Sequence, residues 1–255
     1  MPRRKTILVT GEFYHVYNRS NAGIPLFKGP RECNLFIEAV KFYLQVKPPT
    51  KFSVYRRSRN SFTLNLDKKL VSIINYCLMP NHFHFTLRQE IEGGITQFIH
   101  RISSSFAHYF STKYKTKGHI FEDKFKAVHV ETEEQLIHLS RYIHLNPVTS
   151  YLVEKPEDYS QSSYKIYLGE IQSDIIDTSP IISNFKSKQN YRDFVFMKRL
   201  DLPIDDKNII VVIGLNPGTF KDEASFPRDY TLRMVREIFG KFPLEISAYN
   251  FLASL

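Results

Sequence analysis

The chain has only two cysteines, no internal repeat, no low-complexity tract and no apolar run approaching the roughly 18 residues that a membrane-spanning helix needs. Cys33 and Cys77 lack the spacing of a structural zinc site and fall in an expected helix and an expected strand, so both read as reduced, buried residues. The start, Met1-Pro2-Arg3-Arg4-Lys5, is followed by only five uncharged residues before Gly11 and Glu12, which argues against a secretory signal and for a cytoplasmic protein without a membrane partner. Disorder is equally unsupported. With 42% hydrophobic residues in 255, the chain can bury one core, or one domain and an appendage.

What is present is an uneven charge. Residues 1–130 hold 21 Lys and Arg against 8 Asp and Glu, whereas residues 131–255 hold 14 against 18. The first half is therefore where a polyanion would bind. Three basic clusters, Arg3-Arg4-Lys5, Arg56-Arg57 with Arg59, and Lys113 with Lys115 and Lys117, lie among aromatics, a composition suited to a groove that follows a nucleic-acid backbone.

Hydrophobic periodicity gives the order of elements. Residues 13–19 alternate as a strand and 31–45 repeat as a helix that Pro48-Pro49 stops. Strands are expected at 51–57 and 71–78, with a short one at 61–66 between them. After Met79-Pro80-Asn81 the pattern resumes as a strand at 82–87, and Ile95, Phe98, Ile99, Ile102 and Phe106 stripe a second helix. Residues 118–130 read as a last strand. Thr132 with Gln135 makes a capping-box signature for a third helix expected to end near Asn146-Pro147. The implied fold is α+β, an antiparallel sheet with helices packed mainly on one face, over about residues 1–200. Residues 201–255 change character and are expected to form a small C-terminal appendage.

Two constellations could carry chemistry. In His82-Phe83-His84 on a strand, the imidazoles share one face and Phe83 takes the other, which makes a two-toothed metal clip. Such a pair accepts Mn²⁺ and similar ions, and Mg²⁺ when phosphate and water complete the shell. On the third helix, His138, Tyr142 and Asn146 recur every four residues and share a polar face, beside an apolar stripe of Leu139 and Ile143. A tyrosine there could attack a polarised phosphate.

Four blocks in order resemble the motifs of the single-tyrosine HUH transposases, most of all the REP-associated ones: Tyr14-His15-Val16-Tyr17-Asn18-Arg19, Leu78-Met79-Pro80-Asn81-His82-Phe83-His84, Gly118-His119-Ile120-Phe121, and Tyr142-Ile143-His144-Leu145-Asn146-Pro147. The stretch Ser162-Ser163-Tyr164 resembles a fifth. The resemblance implies an HUH nuclease sheet, a metal held by His82 and His84, Tyr142 as nucleophile and Asn146 as third ligand, with His138 in reserve. It also implies Mg²⁺ or Mn²⁺ as cofactor, single-stranded or hairpin DNA as partner, a monomer or homodimer, and a 5′-phosphotyrosine intermediate in transposition. Candidate DNA contacts are Arg3, Arg4, Lys5, Arg19, Arg56, Arg57, Arg101, Lys124 and Lys126. The chain departs from many relatives in having Gln161 in place of a tryptophan and the acidic pair Glu122-Asp123. A hairpin-binding regulator without catalysis, or a nuclease using a metal-bound water, are the alternatives.

Overall fold

The computed structural model describes residues 6–196 apart from 59, 60 and 123. Arg3, Arg4, Lys5, Arg59 and the expected appendage at 201–255 lie outside the described residues. Residues up to Arg192 form one compact unit.

Four antiparallel strands, β1 (Phe13–Arg19), β2 (Val71–Met79), β3 (His82–Gln89) and β4 (Lys126–Val130), form one sheet in the order β2-β3-β1-β4. Strand alternation divides the sheet's two faces sharply. Tyr14, Val16, Leu78, Phe83, Phe85 and Leu87 point to an apolar face and are fully or almost fully buried. Two helices cover that face, α1 (Pro30–Tyr43) and α3 (Gly94–Tyr114). Phe36 of α1 meets Phe83 at 5.4 Å between ring centres and Phe106 of α3 at 5.2 Å. Each such buried phenylalanine contributes about 2 to 3 kcal/mol, so Phe83 anchors the strand that carries both histidines.

The opposite face is the polar one, and α4 (Glu133–Thr149) crosses it over β2, β3 and β4. The helices therefore flank both faces: α1 and α3 on one, as expected, and α4 on the other. An irregularity between Ile73 and Asn75 re-phases β2. Before it, Ile73 pairs with core-facing Leu87; after it, Cys77 pairs with His84 on the α4 face and Leu78 with Phe83 in the core.

Two residues, Pro80 and Asn81, join β2 to β3, and their carbonyls are held: Pro80 accepts from Leu26 N and Phe27 N, and Asn81 from Ser20 N. The outer edge of β2 is covered. Ser162 bridges to Cys77, Leu78 N donates to the Gln161 carbonyl, and Ser163 N donates to the Tyr76 carbonyl.

Several expectations are corrected. Residues 51–57 were expected as a strand, but Phe52–Arg57 is a short helix, α2, because Phe52 and Tyr55, three apart, both pack on Phe42 at 5.3 and 4.8 Å. Residues 61–66 form no strand. The last strand is regular only over Lys126–Val130, while Phe121 bridges singly to Ser20. Helix α4 runs through Pro147 to Thr149, because Ser150 N and the Thr149 hydroxyl both donate to the Asn146 carbonyl and Leu152 N donates to that of Pro147. The capping reading holds: the Thr132 side chain accepts from Gln135 N. Three short helices complete the described residues, α5 (Tyr164–Leu168), α6 (Ser179–Ile182) and α7 (Lys188–Phe196).

Candidate metal and nucleophile site

Strand β3 places His82 and His84 on the α4 face with their rings 4.9 Å apart between centres. Each ring is fixed through its Nδ1. His82 Nδ1 donates to Asn81 Oδ1 at 2.7 Å, and His84 Nδ1 shares a hydrogen bond with His15 Nε2 at 2.9 Å. The His82 bond leaves its Nε2 with a lone pair, and the tautomer in which His84 Nδ1 is the donor does the same for His84, the arrangement in which a partner on the second nitrogen orients a metal-binding imidazole.

Burial lowers the basicity of these rings. It takes His15 and His82 down to about 3, the charge of Arg19 adding to the effect on His82. His84 is held well below the usual imidazole range by burial first, then by His82, His15 and Arg19. All three rings are neutral at pH 7, which is the protonation state a metal ligand needs.

Helix α4 brings Tyr142 and Asn146 over the pair. The Tyr142 ring stands edge-on to His84 at 5.7 Å and to His15 at 5.9 Å. Asn146, one turn on and buried, points its Nδ2 at His84 Nε2 from 3.5 Å. Burial pushes the Tyr142 hydroxyl well above the usual phenol range, and a hydrogen bond from the Asn146 side chain and the Arg19 charge pull it back. Desolvation wins, so this phenol gives up its proton only when a cation or phosphate chemistry compensates.

The position of α4 is itself locked. His144, two residues beyond Tyr142 and fully buried, bonds through Nδ1 to the Tyr191 hydroxyl at 2.7 Å and through Nε2 to Ser163 Oγ at 2.8 Å. Ser163 Oγ in turn accepts from Tyr76 N at 2.9 Å, so a chain of hydrogen bonds runs from the helix to the edge of β2.

The donor set fits a divalent ion. Two neutral imidazole nitrogens and the oxygen that the Asn146 amide can present leave positions for water and phosphate. Among the described residues no group of three His, Cys, Asp or Glu could hold a metal, and the polar side chain nearest the histidine pair on α4 is that of Asn146. His138, one turn before Tyr142 on α4, lies 3.9 Å from Glu134.

The basic candidates divide. Arg19 and Lys126 are exposed beside the site. Arg56 is paired with Glu38 at 2.9 Å, Arg57 donates to the Ser53 carbonyl, and Arg101 donates to the carbonyls of Gln45 and Val46 beyond α1. Lys124 is exposed on the approach to β4. Sequence reasoning missed His15, Tyr17 and His144. The first two could have been found from β1 alternation, which puts His15, Tyr17 and Arg19 on one face, once Tyr17 was known to pair with His84.

An antiparallel sheet with a histidine pair on one strand and a tyrosine and asparagine on the helix above it defines the site. The model of the family described as transposase, IS200-like, matches residues 50–146, which include His82, His84, Tyr142 and Asn146. Among solved structures, a REP-associated tyrosine transposase bound to a REP hairpin is similar at 15% identity, with a TM-score of 0.47 over 71% of this chain and 96% of that one. No curated protein matches. Among the described residues no helix is long and apolar enough to cross a membrane.

Proposed function

We propose that this chain is a transposase that nicks and rejoins single-stranded or hairpin DNA, with Tyr142 as its nucleophile. The observation that carries the reading is the Tyr142 ring edge-on to His84, with Asn146 touching both side chains. The family match over residues 50–146 supports the same reading. A divalent ion, Mg²⁺ or Mn²⁺, held by His82 Nε2, His84 Nε2 and the Asn146 amide, would polarise the scissile phosphate as a Lewis acid.

The side chains do the rest. Asn146 orients the Tyr142 hydroxyl, and the surrounding imidazoles keep its approach partly free of water. Tyr142 Oη attacks phosphorus and loses its proton to solvent; the bond from phosphorus to O3′ breaks, and O3′ leaves as a hydroxyl. The product is a 5′-phosphotyrosine on Tyr142. It conserves the energy of the phosphodiester, so a 3′-hydroxyl of another strand can reverse the step without ATP. The basic first half of the chain and its aromatics suit single strands, whose bases can stack while Lys and Arg follow the backbone.

The test is a denaturing gel of labelled single-stranded hairpins incubated with protein and Mn²⁺ or Mg²⁺. A covalent protein-DNA band is expected from the parent. Tyr142→Phe, which keeps the ring, is expected to lose the adduct and at least about a thousandfold of the cleavage rate. Cleavage by Tyr142→Phe at the parental rate would make a bound water the nucleophile instead.

A further inference from the structure

Two of the candidate DNA contacts, Arg19 and Lys126, stand on the polar face of the sheet. Arg19 closes β1 directly opposite His82 in the β1-β3 register, and Lys126 opens β4 directly opposite Tyr17, which itself pairs with His84. Strand alternation therefore puts both side chains on the face that carries the two histidines, Arg19 next to His82 and Lys126 one strand further from His84, beyond Tyr17. Both residues are exposed. The backbone of Arg19 is anchored at both ends, its N–H donating to Asn18 Oδ1 at 2.9 Å and its carbonyl accepting from Glu122 N at 2.8 Å, while its guanidinium has no carboxylate partner among the described residues. Lys126 likewise has none.

Elsewhere in this protein, cations with a carboxylate in reach take it. Lys113 pairs with Glu32, Arg56 with Glu38, Arg88 with Glu90 and Arg192 with Glu157. A guanidinium on a rigid strand beside a cation-binding pair of neutral imidazoles disfavours a bound ion, since like charges repel and the ion would bind more tightly without it. That cost is reversed only when an anion lies between them. A phosphodiester is such an anion, with two non-bridging oxygens that the planar fork of an arginine can grip.

We propose that Arg19 is a catalytic residue that grips the scissile phosphate from the side opposite Tyr142, and that Lys126 holds the neighbouring phosphate of the same strand. The proposal rests on the strand-transfer reading above. Arg19 offsets the negative charge that grows on the non-bridging oxygens as Oη bonds to phosphorus and O3′ departs. Lys126, a compact charge on a flexible stem, acts earlier by seating the backbone.

Full-length protein carrying Arg19→Gln, Arg19→Lys or Lys126→Gln tests it in three measurements: Mn²⁺ binding by calorimetry without DNA, hairpin binding in EDTA across a salt series, and single-turnover adduct formation at saturating DNA. Arg19→Gln should form adduct about a hundredfold more slowly, yet bind Mn²⁺ about two- to tenfold more tightly without DNA, because a repelling charge has gone. Arg19→Lys should recover part of the rate. Lys126→Gln should weaken hairpin binding and make the salt slope shallower by about 0.7. A parental adduct rate in Arg19→Gln, or a loss of Mn²⁺ affinity that would mark a damaged fold, overturns the assignment. No adduct from the parent protein overturns the strand-transfer reading and the catalytic role with it. The Mn²⁺ measurement then tells that failure apart from a misplaced Arg19.

Discussion

His15 Nε2 lies 2.9 Å from His84 Nδ1, with the two rings stacked at 5.1 Å and 19° between planes. The contact crosses from β1 to β3 and fixes which nitrogen of His84 faces α4. Replacing His15 by alanine should leave His84 free to rotate and to exchange tautomers, lowering Mn²⁺ affinity by about 10- to 100-fold. Calorimetric titration of Mn²⁺ checks this, with His15→Gln expected to keep part of the affinity through its amide. Parental affinity in His15→Ala would show that α4 alone orients His84.

The clip itself should fail more completely. His82→Ala or His84→Ala is expected to abolish measurable Mn²⁺ binding and adduct formation while the protein stays folded and keeps most of its DNA affinity. Phe83, on the other face, holds the strand in the core whichever histidine is removed. Unchanged Mn²⁺ affinity in both variants would place the ion elsewhere.

The parts of this site that were legible in the sequence are those set by local period. Two-residue alternation put His82 and His84 together, and four-residue spacing put Asn146 with Tyr142. What was not legible depends on partners far along the chain. His15 touches His84 across 69 residues, and no local pattern marks that pairing. Residues 51–57 are rich in aromatic and β-branched types, and only the presence of Phe42 beneath Phe52 and Tyr55 makes them a helix. The helix end was expected near Asn146-Pro147 because the residue before a proline is biased away from the helical region, but the helix continues to Thr149, where Ser150 N and the Thr149 hydroxyl cap the Asn146 carbonyl.

DNA affinity should depend strongly on salt. The exposed cations near the site, Arg19, Lys124 and Lys126, can engage three phosphates, and about three contacts on a single strand give a slope of log K against log salt near −2. Hairpins with single-stranded flanks should bind more tightly than blunt duplex of equal length. Fluorescence anisotropy across a salt series measures both. A slope near zero would remove the electrostatic basis for the groove.

Four of the imidazoles are held neutral by burial, and this makes stability depend on pH in a calculable direction. His15, His82 and His144 are lowered by burial to about 3, and His84 also lies well below its usual value. In the unfolded chain each binds a proton as pH falls through about 6.5. Between about pH 6.5 and pH 3 the unfolded state therefore carries up to four more protons than the native one. The stabilising contribution is complete above that window and is lost as pH falls, at up to roughly 5.5 kcal/mol per pH unit. Urea midpoints of metal-free protein at pH 7.5, 6 and 5 should fall steeply. His144→Gln separates the causes: it loses buried hydrogen bonds to Tyr191 and Ser163, so it should be less stable at pH 7.5 by about 2 to 3 kcal/mol. It also removes one hidden proton-binding site, so its stability should fall less steeply with acid, by roughly 1.4 kcal/mol per pH unit. The midpoints of parent and variant should therefore converge as pH drops. A variant that keeps the parental slope would mean that His144 takes up a proton as readily in the native protein as in the unfolded chain.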